Sequence, residues 1–195
     1  MEINQLILAS GSPRRKELLE QLGLDFLVKV PIGDEIIQGG TPEEIVCYLS
    51  KNKAFEVART LEKESLVIGA DTLVVLEGKI LGKPKDEQEA IDILSCLSGK
   101  RHSVYTGVAF ILLNDNGCNL IDSFAEETFV DVYPMSQQEI LDYVRTGDPM
   151  DKAGAYGIQG VFSRYIKGIS GEYCNVVGLP IGRVWQSLKK INNQK

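Results

Sequence analysis

The chain has 195 residues, a formal net charge of −6 at pH 7 and an apolar fraction of 44%. This length allows one α/β domain, or two lobes around a cleft, with a core that needs no disulfide or structural metal. The net negative charge argues against a non-specific nucleic-acid binder, which needs a basic surface. The apolar runs have the length of strands rather than of membrane-spanning helices.

In chain order, short apolar or β-branched runs bounded by turn residues predict strands. These lie at Leu6–Ala9, Asp25–Val30, Leu66–Leu76, Ile80–Leu81, Ser103–Leu113 and Ile121–Val132. Capping residues or a proline predict where helices begin, and glycines predict several of their ends. The first helix is expected to begin after Ser12 and end at Gly23, and the second to begin after Thr41 and end near Leu61. The third should begin after Asp86 and end near Gly99, and the fourth should begin after Ser136 and end at Gly147. The last is expected to run from Pro180 to near Leu188, with a frayed tail beyond. Intermixed strands and helices favour a mixed, twisted α/β sheet with packed helices.

The segment Ala9-Ser10-Gly11-Ser12-Pro13-Arg14-Arg15 joins the first strand to the first helix. Backbone N–H groups and the helix dipole favour an anion at such a helix start. Arg14 and Arg15 oppose that dipole, and a bound polyphosphate would explain why two cations stand there. The alternative is an ordinary capped helix with surface arginines.

Asp71 lies in Gly69-Ala70-Asp71-Thr72, inside an otherwise apolar strand. A buried carboxylate is costly unless it is paired, hydrogen-bonded or bound to a metal. Such a residue can hold a divalent cation and can orient or deprotonate a water molecule. The structural alternative is an aspartate bonded to backbone N–H groups in a bulge at Gly69.

Two later loops carry further candidates. Pro84 confines Lys83 to an extended conformation that could hold its ammonium group on a phosphate, although a plain loop charge is the alternative. The segment Ala153–Gly171 is rich in glycine, which suits close backbone turns. Within it Gln159 offers a donor and an acceptor that suit the edge of a pyrimidine, or that satisfy a buried turn.

Other residue types narrow the chemistry. His102 is the single histidine, so a histidine-based zinc site and a Ser–His–Asp triad are not expected, and His102 itself is expected to be structural. The four cysteines are widely spaced and predict neither a zinc site nor a disulfide framework. The charges near the N-terminus follow the apolar run, the reverse of a secretory signal, so a cytoplasmic protein is expected.

Four segments, ASGSPRR, GADT, GKP and DKAGAYGIQG, occur in this order along the chain. Together they resemble the Maf family of nucleoside triphosphate pyrophosphatases, which is related in fold to the inosine triphosphatase group. The resemblance covers essentially the whole chain. It implies a single Maf-like domain over residues 1–195, elongated, with two lobes around a central cleft.

The resemblance also implies roles for individual residues. Asp71 is similar to the catalytic acidic residue that accepts a proton from the attacking water, and Lys83 is expected to act with it. Glu35 is similar to a second carboxylate near a divalent metal, Mg²⁺ or Mn²⁺, and Lys53 to a lysine that contacts the triphosphate. Ser10, Ser12 and Arg15 match phosphate-loop positions, and Arg14, Thr72 and Gln159 match the branch that acts on dTTP and UTP.

The function implied by the resemblance is hydrolysis of dTTP or UTP, with modified uridine triphosphates as further candidates. Water attacks the α-phosphorus, and the products are the nucleoside monophosphate and pyrophosphate. The expected partner is the nucleoside triphosphate, with no nucleic-acid polymer and no membrane, and a homodimer is expected from the family. The alternative is a nucleotide-binding regulator of septum formation in cell division, which would have little use for an acidic residue aimed at the α-phosphate.

Overall fold

Strands and helices intermix in the computed structural model, which describes residues 5–33 and 39–193. The strands are β1 (Leu6–Ala9), β2 (Leu27–Val28), β3 (Ser65–Leu76), β4 (Lys79–Leu81), β5 (Arg101–Asn114), β6 (Gly117–Val132) and β7 (Ile166–Ser170). The α-helices are α1 (Pro13–Glu20), α2 (Pro42–Ala58), α3 (Glu87–Leu97), α4 (Gln137–Val144), α5 (Tyr173–Val177) and α6 (Ile181–Asn193). Short 3₁₀ turns cover Asp148–Asp151, Ala153–Ala155 and Gly160–Tyr165.

The strands form one sheet in the order β2-β1-β3-β5-β6-β7, with β4 beside β3. β1 is parallel to both β2 and β3, whereas the pairs β3–β4 and β6–β7 are antiparallel. A sheet with both kinds of pair and with helices packed on it confirms the predicted mixed α/β class.

The chain divides into two compact units. The first comprises the described residues within Met1–Asp71, Thr106–Glu126 and Gly178–Lys195, and the second comprises Thr72–Tyr105 and Glu127–Val177. The expectation of a single domain over residues 1–195 stays a prediction. Within the described ranges, no helix has both the length and the apolar character needed to cross a membrane.

In the first unit, α2 packs closely on the sheet. One buried cluster joins β1, α2, β3 and β5 through Ile7, Ala9, Ala54, Val57, Ala58, Val67 and Ile111. Two glycines allow the close approach. A Cβ at Gly69 would lie 2.2 Å from the carbonyl oxygen of Ser50, and a Cβ at Gly107 would lie 2.2 Å from that of Val46. The backbone of α2 therefore lies directly against β3 and β5.

In the second unit, three aromatic rings of the glycine-rich segment pack together with Tyr143 of α4. Phe162 contacts three tyrosine rings, with centroids 5.0 Å from Tyr143, 4.7 Å from Tyr156 and 5.5 Å from Tyr165. All four side chains are buried. This cluster ties the 3₁₀ turns to α4.

Most predicted elements are present, and Thr41 and Ser136 cap the starts of α2 and α4 as expected, each through a capping box. Several boundaries were wrong. The first helix ends at Glu20, the second strand contains only Leu27–Val28, and the last helix continues to Asn193, where a frayed tail was expected. Neither β7 nor α5 was predicted, because β7 depends on pairing with β6 and α5 is too short to have a periodic pattern.

Candidate active site

Asp71 and Lys53 form a buried ion pair in the first unit. Gly69 and Asp71 lie on the same face of β3, because side chains alternate along a strand, and α2 covers that face at Gly69. Lys53 precedes Ala54, which is in contact with Gly69, and its Nζ donates to Asp71 Oδ1. Only 8% of the Asp71 side chain and 14% of the Lys53 side chain are exposed. The pairing that a buried carboxylate requires is thus supplied by α2.

The loop that follows β1 begins beside the middle of β3, where Asp71 lies. Ala9 pairs with Gly69 in the parallel register of β1 and β3, so Ser10 and Asp71 both follow this pair toward the carboxyl ends of their strands. Ser10 is buried, and its Oγ accepts from the Ser12 N–H at 3.2 Å and from Arg15 Nη1 at 3.4 Å. The predicted phosphate loop therefore begins one residue beyond the Ala9–Gly69 pair, and the predicted catalytic carboxylate lies two residues beyond it.

Arg15 has a second contact that holds it in place. Its Nε donates to the carbonyl oxygen of Gly178, just before α6, at 2.8 Å. Ser12 stands at the N-cap position of α1, as predicted, although its side chain makes no capping hydrogen bond. The first turn of α1 contains no acidic residue that would compensate the helix dipole. The positive end of this helix is therefore suited to an external anion.

Three further predicted site residues, Thr72, Lys83 and Gln159, belong to the second unit. Thr72 follows Asp71 directly and is half-buried, and Lys83 is exposed beside the buried Pro84. Gln159 is exposed, with an extended backbone at φ −81° and ψ 151°. Its exposure contradicts the alternative in which the amide satisfies a buried turn. Arg14, in the first unit, is half-buried.

The loops that carry Lys83 and Gln159 are joined to each other. The N–H of Gly154 donates to the carbonyl oxygen of Gly82 at 3.0 Å. Gly154 has a φ of +70°, and a Cβ there would lie 2.9 Å from both methyl groups of Val74 on β3. The GKP and DKAGAYGIQG segments therefore form one packed substructure of this unit.

Glu35, the second predicted carboxylate, lies outside the described residues, as does its neighbour Asp34. The chain just before them is attached to α2, since Glu56 Oε1 accepts the N–H groups of Ile32 at 2.6 Å and Gly33 at 2.9 Å. Glu56 lies one helical turn after Lys53. In residues 5–33 and 39–193, no group of three or more His, Cys, Asp or Glu side chains has the arrangement of a metal site.

His102 is placed in the core, as expected for a structural residue. It is buried, and its Nε2 lies 2.7 Å from the hydroxyl oxygen of Tyr156. Burial lowers the pKa of His102 to about 4, so the ring is neutral at neutral pH.

Comparison with known proteins identifies the family. A model of the family described as "Maf-like protein" matches residues 5–191. The chain belongs to this family.

Three relatives of this Maf-like protein share a name. It is 51% identical to a "dTTP/UTP pyrophosphatase" from Agathobacter rectalis, with 97% of this chain and 98% of the relative covered. It is 47% identical to a protein of the same name from Lachnoclostridium phytofermentans, with coverage of 95% and 94%. A third such protein, from Geobacillus sp., is 48% identical, with coverage of 97% and 99%.

Two solved structures are more distantly similar. A nucleoside-triphosphatase / dITP/XTP pyrophosphatase from Mycobacterium abscessus has a TM-score of 0.43 at 11% identity, covering 95% of this chain and 93% of that chain. The Ham1 protein of Staphylococcus aureus has a TM-score of 0.41 at 15% identity, covering 83% and 93%. At these scores no conclusion about function follows.

Three residues of the second unit, which hydrogen-bond to one another, were not predicted as site residues from the sequence. Tyr143, Asp148 and Lys152 form a hydrogen-bonded group beside the segment that carries Gln159. Lys152 lies inside the DKAGAYGIQG segment, but Tyr143 lies on α4 and has no motif around it. A tyrosine on the apolar face of a helix predicts only burial.

Proposed function

We propose that this Maf-like protein is a dTTP/UTP pyrophosphatase, which hydrolyses dTTP or UTP to the nucleoside monophosphate and pyrophosphate. The proposal depends on one observation above all: the buried Asp71 of the Asp71–Lys53 pair lies on β3 two residues beyond the Ala9–Gly69 pair, and the Ser10 loop begins directly after Ala9. The name shared by relatives that are 47–51% identical over nearly the full chain supports the same substrates. Modified uridine triphosphates are further candidate substrates.

The chemistry asks the protein mainly for positioning and for charge stabilisation. The oxygen of a water molecule bonds to the α-phosphorus, and the bond from that phosphorus to the α,β-bridging oxygen breaks. Asp71 orients the water and accepts its proton, while pyrophosphate leaves with the electron pair of the broken bond. Lys53 holds the carboxylate of Asp71 in place and contributes positive charge beside the phosphates.

Phosphate binding is assigned to the helix start and to the second unit. In the first unit, Ser10, Ser12 and Arg15 surround the N-terminal end of α1, whose dipole favours an anion, and Arg14 adds positive charge. In the second unit, Lys83 supplies a further cation. Gln159 and Thr72 are proposed to select the base through hydrogen bonds, which reject mismatched partners more strongly than apolar fit does.

A divalent metal, Mg²⁺ or Mn²⁺, is proposed as the cofactor. The carboxylate of Asp71 supplies oxygen atoms, the ligands that such ions prefer. In nucleotide sites, Mg²⁺ is commonly held by one or two carboxylates together with substrate phosphates. Asp71, with Glu35 as the second carboxylate that the family resemblance implies, would meet this requirement without a larger acidic cluster. When bound, the ion would neutralise charge on the phosphates.

The proposal is tested by product analysis. The protein is incubated with dTTP or UTP and either metal, and nucleotides and phosphates are quantified by anion-exchange chromatography. Nucleoside monophosphate and pyrophosphate in equal amounts are expected. Orthophosphate release would indicate a different hydrolase, and intact nucleotide with measurable binding would favour the regulator of cell division.

Asp71→Asn is expected to lower kcat by at least about 100-fold, because the side chain no longer accepts a proton. The Kd for α,β-methylene-UTP, measured by calorimetry, should change by no more than about threefold, since positive charge dominates binding. Asp142→Asn removes an exposed carboxylate on α4 and should leave both quantities unchanged. Retention of turnover in Asp71→Asn would contradict the assigned role.

Three further expectations accompany the proposal. The net charge of −6 suits a free nucleotide rather than a nucleic-acid polymer as the ligand. A homodimer and a cytoplasmic location remain predictions, to be tested by light scattering and by cell fractionation respectively.

A further inference from the structure

A single buried hydroxyl ties α4 to the segment that carries Gln159. Tyr143 is 2% exposed, and its hydroxyl donates to Asp148 Oδ2 at 2.5 Å. The same oxygen accepts the backbone N–H of Gly157 at 3.2 Å. Because Gly157 stands two residues before Gln159, this hydroxyl determines where the backbone runs as it approaches Gln159.

Lys152 keeps Asp148 in position. Its Nζ lies 3.1 Å from Asp148 Oδ1 and donates to the Asp148 carbonyl oxygen at 2.6 Å and to Asp151 Oδ1 at 2.6 Å. Only 12% of the Lys152 side chain is exposed. A Cβ at Gly157 would lie 2.8 Å from Lys152 Cε, so a larger residue there would displace the end of this side chain. The Tyr143 hydroxyl thus belongs to a closely packed polar group that also contains Asp148 and Lys152.

The short segment Tyr156–Gln159 connects the Tyr143 hydroxyl contact to the Gln159 side chain. Tyr156 and Ile158 are buried, whereas Gly157 is half-buried and Gln159 is exposed. The backbone bends at Ile158 and Gln159, between the buried Ile158 side chain and the exposed Gln159 side chain. The direction of the Gln159 amide therefore depends on where the backbone is held just before this bend, at Gly157.

We propose that Tyr143 is a positioning residue for base selection, acting through Gly157 on Gln159. This inference rests on the proposed function, in which Gln159 bonds to the pyrimidine edge of the substrate. A hydrogen bond tolerates only a few tenths of an ångström in length and weakens steeply as its angle closes. A backbone that shifts at Gly157 therefore weakens discrimination between bases while leaving Asp71 and its reaction unchanged.

The test compares UTP with CTP, whose base presents an amino group where uracil has a carbonyl. Tyr143→Phe keeps the ring against Phe162 and removes only the hydroxyl. The ratio of kcat/KM for UTP to that for CTP should fall roughly fivefold, the typical effect of one neutral hydrogen bond. The fall should appear mainly as a higher KM for UTP, with kcat within about twofold of wild type.

Tyr105→Phe is the matched control. It removes a hydroxyl that donates to the Glu127 carboxylate at 2.5 Å, in the same unit but on β5 and β6. Its melting temperature should fall as much as that of Tyr143→Phe while the UTP/CTP ratio stays at the wild-type value. An equal fall of the ratio in both variants would show a general effect of destabilisation and would overturn the proposal.

A double-mutant cycle with Gln159 separates this inference from the proposed function. Gln159→Ala should lower the UTP/CTP ratio, and adding Tyr143→Phe to it should cause no further fall. Wild-type protein that releases no pyrophosphate from UTP refutes the proposed function itself. If the wild type is active and Gln159→Ala lowers the ratio while Tyr143→Phe does not, the inference alone is wrong. Should Tyr143→Phe fail to fold, Asp148→Asn provides the same comparison and must also lower the ratio.

Discussion

Replacing Lys53 by methionine would remove the charge that faces Asp71 while keeping an apolar side chain of similar length on α2. The Asp71 carboxylate would then be buried at 8% exposure without its ion-pair partner. Breaking a buried pair in this way typically costs about 3–5 kcal/mol, because the remaining charge keeps its desolvation cost. The free energy of unfolding should fall by about that amount.

The expected change is large enough to measure directly. For a chain of this size, each kcal/mol corresponds to roughly 2–4 °C in Tm, so Lys53→Met should lower Tm by about 6–20 °C. Urea titration followed by the fluorescence of Trp185, the single tryptophan, gives the free energy independently. The double variant Lys53→Met/Asp71→Asn should recover most of the loss, because neither charge of the pair remains.

Lys100→Met is the control for the loss of a lysine. Lys100 pairs with Glu77 at 3.0 Å, but their side chains are 45% and 69% exposed. An exposed pair contributes less than about 1 kcal/mol, so this variant should unfold almost as wild type does. If Lys53→Met were equally mild, or if the double variant were no more stable than Lys53→Met, the argument from a buried pair would be refuted.

Two further predictions concern packing and pH. Gly69→Ala should destabilise the protein by about 3 kcal/mol and lower kcat, because the new Cβ forces α2 and Lys53 away from β3; Gly168→Ala, which meets no atom within 4 Å, should do neither. The pKa of His102 is about 4 in the folded protein and near 6.5 when unfolded, so its contribution to stability is complete above pH 6.5 and is lost as the pH falls toward 4. Wild type should therefore lose about 2 kcal/mol more than His102→Gln between about pH 7.5 and pH 5, measured by urea titration, and equal losses would contradict the buried neutral ring.

Local sequence rules predicted most elements of this fold. Thr41 and Ser136 begin helices because their side chains satisfy backbone N–H groups within the next turn, a contact that depends on residues no more than four apart. The second strand was predicted too long and the last helix too short, since those ends depend on neighbours elsewhere in the chain. The strand Ile166–Ser170 was missed because it exists only through its pairing with β6.

The candidate site was predicted in part from the residues and in part from the family resemblance. A carboxylate inside an apolar strand indicated Asp71 on physical grounds, and the helix start at Ser10–Arg15 indicated an anion site. No pattern around Lys53 indicated that it would pair with Asp71, and it was named only through the resemblance. The second carboxylate, Glu35, lies outside the described residues and stays a prediction.

The sequence alone determined the α/β class, the family and the charged residue whose burial costs free energy, Asp71. These depend on composition, on short-range spacing and on motifs. The tertiary structure alone decided which cation neutralises Asp71 and which hydroxyl holds the Gln159 segment. Both contacts join residues that are 14 or more positions apart along the chain. They form because Gly69 lets α2 approach β3 and the Gly157 backbone packs against Lys152, and steric access of this kind becomes apparent only when the elements are packed together.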